Sequence, residues 1–186
     1  IYFSNDQISP FLKDFFTISG LENKKIKKFN SNYNSIQDNY YNEPLVINSS
    51  IETSDLIKEN QKNIYSFEVG KLIGLQSNLF DETTRVNDIE INFPNEYEYK
   101  ISIRIPRGFE LMDISSLNLI SKYSAVSGEV IAYFQSKAII ESNYLLIEIS
   151  EYYKSLHYDK SRYDDFSNVI NTAASFYQKT VLISKN

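Results

Sequence analysis

The chain has 186 residues, 42% hydrophobic and 23% charged, with a net charge of −5 and a pI near 5.0. That length suits one large domain, or one domain with a small companion, and buries enough surface to fold without covalent staples. With no cysteine, disulfides, thiolate metal sites and cysteine nucleophiles are excluded, and the acidic balance lacks the basic footprint that nucleic acid requires.

In chain order, residues 4 to 20 read as a short helix. Ser9 and Pro10 suit its cap and first turn, Phe11, Leu12, Phe15 and Phe16 recur at helical spacing, and Gly20 can end it. The KKIKK stretch at Lys24 to Lys28 reads as a solvated edge strand, where lysine discourages aggregation. A polar segment bearing Tyr33, Tyr40 and Tyr41 follows, and then a strand over 44 to 52, where Leu45, Ile47, Ser49 and Ile51 share one parity. ETSDLIKENQKN reads as a loop or a single helical turn, NIYSFEVGKL returns to β character, and GLQSNLFDETTR is loop-like.

The clearest signal is NEYEYKISIRIP, residues 95 to 106. Tyr97, Tyr99, Ile101, Ile103 and Ile105 alternate with Glu96, Glu98, Lys100, Ser102 and Arg104, the mark of a half-buried strand. Five apolar side chains on one face, at about 1.5 to 3 kcal/mol each if fully buried, would fix its register. On this reading Ile103→Asp disrupts the domain and Ser102→Asp is tolerated. Pro106 is expected at the first central position of a turn with Gly108 behind it, and Leu111 and Met112 begin a return strand. Strands follow over Leu117 to Tyr123, Glu129 to Ile140 and Tyr144 to Tyr153, separated by the Ser127-Gly128 turn and a tight turn at Glu141-Ser142-Asn143.

After residue 158 the period becomes helical, with Tyr163, Phe166, Ile170, Ala173 and Tyr177 on one face. Ser161 and Asp164 have capping-box spacing, and KTVLISK closes the chain as a strand. The fold class expected is mainly β: an antiparallel β-sandwich, immunoglobulin-like in general form, with one short N-terminal and one C-terminal helix. The expected division is residues 1–40, a helix and leading strand packed on the main body, and residues 41–186, the sandwich with its helix.

Residues suited to chemistry are sparse. His157 is the only histidine; beside Asp159 it could serve as a general base, but it lacks an evident nucleophile and reads better as a loop residue. Glu96 and Glu98 point the same way about 7 Å apart, as a two-carboxylate hydrolase would need. Any solvated strand face has the same spacing. No catalytic, metal or cofactor-binding residue is assigned. Most tyrosines suit strand packing, and Tyr40 and Tyr41 are the candidates for contact with a partner, glycan or protein. No apolar run is long enough for a transmembrane segment. Because the chain opens at Ile1, a fragment or processed product is expected.

The run FPNEYEYKISIRIPRGFEL, followed by KYSAVSGEVIAYFQ, NYLLIEISEYYKSLHYDKSRYDDFSNVI and KTVLIS, resembles the region C-terminal to the papain-like core of bacterial transglutaminase-like proteins. The likeness is carried by the Tyr-x-Tyr-x-Ile-x-Ile-x-Ile-Pro-x-Gly-Phe strand and turn, the long final hairpin, and a Tyr-x-x-Phe helix before the last strand. Residues 8 to 93 fit the preceding segment more loosely. The resemblance implies a domain of unknown function, non-catalytic, since the family's Cys, His and Asp belong to the core and this chain has no Cys to match. It implies covalently linked upstream domains, and a periplasmic or cell-surface location, the family being mostly exported in Gram-negative bacteria. A carbohydrate- or peptide-binding sandwich is the alternative drawn from the tyrosines.

Overall fold

A computed structural model describes residues 21, 24–32, 44, 46–79 and 86–185. The helix read over residues 4 to 20, and Tyr33, Tyr40 and Tyr41, lie outside them. The architecture is mainly β, of antiparallel sheets with one helix near the C-terminus, consistent with a β-sandwich. The chain divides into two compact units, Ile1–Lys58 and Glu59–Asn186.

In the first unit, β1 (Lys24–Ser31) pairs antiparallel with β2 (Ile47–Thr53), from Lys24 opposite Thr53 to Ser31 opposite Ile47. The lysine-rich strand and the Ile47/Ile51 strand therefore form one two-stranded sheet. A bulge interrupts the pairing between Ile26 and Lys28, and Lys27 there pairs with Glu52 at 2.5 Å. Bulges and lysines both blunt an edge against further pairing.

β3 (Ile57–Gln61), β4 (Ile64–Phe67), β7 (Phe109–Leu111) and β12 (Val181–Lys185) form a sheet ordered β3-β4-β12-β7. The sequence reads β3 as a loop or helical turn, and the structure corrects this. All five of its side chains are exposed, so no alternation of polarity marks it. It turns into β4 at Lys62-Asn63, where Asn63 takes a left-handed φ of 67°.

The main sheet has the order β6-β10-β9-β8, comprising β6 (Asn95–Arg104), β8 (Leu119–Ser124), β9 (Val130–Glu141) and β10 (Tyr144–Tyr153). β9 and β10 form the expected hairpin, closed by Ser142 at φ 56°. Ala125 and Gly128 close the β8–β9 turn, with Gly128 at φ 89°. A two-stranded ladder pairs β5 (Ile89–Glu90) with β11 (His157–Tyr158).

Two details of the β6 exit differ from expectation. The Phe109 N–H donates to the Pro106 carbonyl, so Pro106 opens the turn and Arg107 and Gly108 occupy its centre. Gly108, at φ 78°, supplies the positive φ that a type II turn needs at its third residue. The strand that follows does not return along β6; it pairs with β12, Leu111 opposite Ile183.

The inner face of the main sheet carries Leu145, Ile147, Ile149 and Tyr153 from β10, with Ala132, Phe134 and Ala138 from β9, all buried. Helix α1 (Tyr163–Tyr177) packs over β8 and β9. Its buried residues include the expected Tyr163, Phe166 and Ala173, but also Val169, Ala174 and Phe176, while Ile170 and Tyr177 are half-buried. The stripe is wider than one i, i+3, i+7 series, as suits a helix lying on a sheet. The expected capping box is not formed: Arg162 is the N-cap and its side chain does not cap the helix, and Asp159 instead accepts from the Ser161 N–H to cap the short 3₁₀ turn before it. Asp164 and Asp165 do sit in the positive first turn, and Arg162 is clasped by Asp165 at 2.6 Å.

Candidate functional site

Position along β6 decides what each of its residues meets. Register places Tyr97 opposite Glu151, Tyr99 opposite Ile149, Ile101 opposite Ile147 and Ile103 opposite Leu145, so the expected apolar parity does face inward. The strand is nevertheless the edge of its sheet, and Tyr97 is 46% exposed while Tyr99, Ile101 and Ile103 are half-buried. Glu96 and Glu98 lie exposed on the opposite face, across from Tyr152 and Ser150, in series with Lys100 and Arg104. They form a solvated strand face, as their spacing alone could not distinguish from a catalytic pair.

His157 is held on β11, opposite Glu90. Its Nε2 lies 3.4 Å from an Asp88 carboxylate oxygen, and both side chains are largely exposed. The other Asp88 oxygen accepts from the Lys160 N–H at 2.9 Å, so Asp88 ties the segment before β5 to the segment before α1. A serine also stands close: Ser155 Oγ donates to the His157 carbonyl at 2.7 Å and accepts from the His157 N–H at 3.2 Å. Ser155, His157 and Asp88 are thus the three residue types of a nucleophile triad. In a triad, however, the hydroxyl must bond the imidazole, and here it bonds the backbone. Asp159 is engaged separately, its carboxyl held below the usual range chiefly by the Ser161 N–H.

The residue that sequence reasoning missed is Glu151. It is only 4% exposed, on the inner face between Tyr97 of β6 and Phe134 of β9. Tyr153 donates its hydroxyl to Oε1 at 2.8 Å, and Oε2 has no hydrogen-bond partner among the described residues. Burial pushes the carboxyl up from its ordinary range, with the Tyr153 bond opposing the shift. The phenols of Tyr153 and Tyr99 are pushed up in turn, first by burial and then by the Glu151 charge. Around them the rings form a chain: Tyr153 to Phe166 at 6.0 Å, Phe166 to Tyr158 at 4.5 Å, Tyr158 to Tyr123 at 5.5 Å, with the Arg162 guanidinium 4.4 Å over Tyr123. A signal was available in NYLLIEISEYY, where the glutamate at 151 falls on the parity of Leu145, Ile147 and Ile149.

This environment sets a pH dependence. Between the ordinary carboxyl pKa and the raised one, the folded chain keeps a proton that the unfolded chain has lost. Stability therefore falls as pH rises through that window, by up to about 1.4 kcal/mol per pH unit for one proton. The phenols of Tyr99 and Tyr153, pushed up, keep their protons there and add no slope. Glu151→Gln, which keeps an acceptor for Tyr153, is expected to flatten the decline when urea unfolding is followed from pH 4 to 8; an unchanged slope would assign the effect elsewhere.

On the outer face, Tyr133 and Tyr152 stack at 5.3 Å and 22°, and the Lys154 ammonium lies 4.6 Å over the Tyr152 ring. Among the described residues no group of His, Asp and Glu is placed to hold a metal ion, and no helix is long and apolar enough to cross a membrane. No family model, no curated protein and no solved structure matches the chain.

Proposed function

We propose that this chain is a non-catalytic β module of a larger transglutaminase-like protein, which positions the core domain or binds its partner. The observation that carries the reading is how the reactive side chains are used. The Ser155 hydroxyl is turned to backbone, His157 and Asp88 clasp two loop segments, and Glu151 is enclosed among rings. Each of these groups is engaged within the fold, while the outer face of β6 leaves Glu96, Glu98, Lys100 and Arg104 exposed for contact. The resemblance of the β6 stretch and the final hairpin to the post-core region supplies the parent context and, with it, a periplasmic or cell-surface location.

A second reading, a carbohydrate- or peptide-binding sandwich, is favoured by one observation: the stacked Tyr133–Tyr152 pair, with the Lys154 ammonium over the Tyr152 ring, places two rings and a donor together on the outer face. The isolated chain is expected to show no hydrolytic or acyl-transfer turnover on peptide amides or glutamine-containing peptides. Turnover that disappears in His157→Ala would overturn the proposal. Glycan or peptide binding lost in Tyr152→Ala, and retained in Tyr40→Ala and Tyr41→Ala, would move the assignment to the second reading.

A further inference from the structure

The free edge of β6 points to a second copy of this chain. Among the described residues β6 has a neighbour only on its β10 side, where ten consecutive residues pair without a bulge. The opposite edge of the same sheet is managed differently: β8 is six residues long and bulged between Tyr123 and Ser124. A long, regular, unbulged edge is the kind that accepts another strand.

The backbone is set for it. The Ile105 N–H donates to the Asn143 carbonyl at 2.8 Å, extending the unbroken β6–β10 register. In an antiparallel ladder each residue directs its N–H and C=O to one side, and successive residues alternate. The odd-numbered residues of β6 therefore bond β10, and Glu96, Glu98, Lys100, Ser102 and Arg104 turn their N–H and C=O groups to the open edge.

Those residues also carry a charge order that is its own complement. Acids lie toward the start of the strand, Glu96 and Glu98, and bases toward the end, Lys100 and Arg104. Laid parallel, two copies would set Glu on Glu and Lys on Lys. Laid antiparallel about a two-fold axis through Tyr99, each Glu98 faces the Lys100 of the other copy and each Glu96 lies diagonal to Lys100 and Arg104, an attractive arrangement. On the inner face the same register brings Tyr97, 46% exposed, opposite Ile101, and covers apolar surface that the monomer leaves half-open.

We propose that the chain forms a symmetric dimer by antiparallel β6–β6 pairing, joining two four-stranded sheets into one of eight strands. This goes beyond the accessory role and holds whether or not the parent is transglutaminase-like. Sedimentation velocity on the full chain over rising concentration is expected to show a monomer–dimer equilibrium weakened by salt. Glu96→Lys with Glu98→Lys, and separately Lys100→Glu with Arg104→Glu, are each expected to raise the dimer Kd by at least about tenfold, since like charges then face across the seam. An equimolar mixture of the two variants is expected to restore a dimer of near wild-type affinity. Ser102→Pro removes an outward N–H that the monomer's ladder does not use, and is expected to abolish the dimer while leaving the circular dichroism spectrum unchanged. A chain that stays monomeric to millimolar concentration, a dimer that survives both charge reversals and Ser102→Pro, or a mixture no tighter than its parts would overturn the proposal.

Discussion

Gly70→Ala is expected to cost the fold about 3 kcal/mol, the upper end of what an inserted methyl does to a packed interior. Gly70 lies in the 3₁₀ turn Val69–Ile73, pressed on the end of α1. A Cβ there would lie 2.2 Å from the Phe176 carbonyl oxygen and 2.4 Å from that of Tyr177. Both are backbone atoms of the last helical turn, so no side chain can swing aside. Nor can the turn retreat, because the Gly70 N–H donates to the Lys179 carbonyl at 3.0 Å and its neighbour Val69 is wholly buried. Gly108→Ala is the informative comparison. At φ 78° with nothing among the described residues within 4 Å of an added Cβ, it incurs left-handed strain alone, about 1 kcal/mol. Urea unfolding of the two variants should rank them in that order; equal losses would mean that the close approach to the helix carries no weight.

What could be read in the sequence follows from what each feature depends on. β10 was legible from Tyr144 to Tyr153 because its inner side chains alternate and a two-residue turn precedes it. β3 was not, since a wholly exposed strand has no polarity rhythm. The partner of Phe109–Leu111 was hidden for another reason: a strand's neighbours depend on where the chain returns, and β12 arrives only after α1. The same holds for the site. Glu151 stood in the apolar series of its strand and was open to inference, whereas the pairing of His157 with Asp88, and the diversion of the Ser155 hydroxyl to backbone, arise from β5 meeting β11. Gly70 is the extreme case. Nothing in VGKLI announces a carbonyl 2.2 Å from where a side chain would begin.

Phe134→Ala is expected to cost more still, about 3 to 5 kcal/mol, as for other fully buried rings. The sequence draws attention to β6, but burial is deepest one and two strands in. Phe134 has no exposed surface, stands between Glu151 and Ser121 on the neighbouring strands, and meets Phe176 of α1 at 6.2 Å. Removing its ring unfastens the helix from the sheet centre. Ile103→Ala, half-buried at the edge, is expected to lose only about 1 to 2 kcal/mol, since it returns less apolar area to water. The Phe134 variant should also differ in kind. A cavity beside Glu151 would admit water to a carboxyl whose raised pKa rests mainly on burial, so the fall of stability between pH 4 and 8 should become shallower. Ile103→Ala leaves that enclosure intact and should keep the wild-type slope. Urea unfolding at both ends of the pH range separates the two effects: a Phe134→Ala variant as steeply pH-dependent as wild type would show that its ring does not shield Glu151 from water.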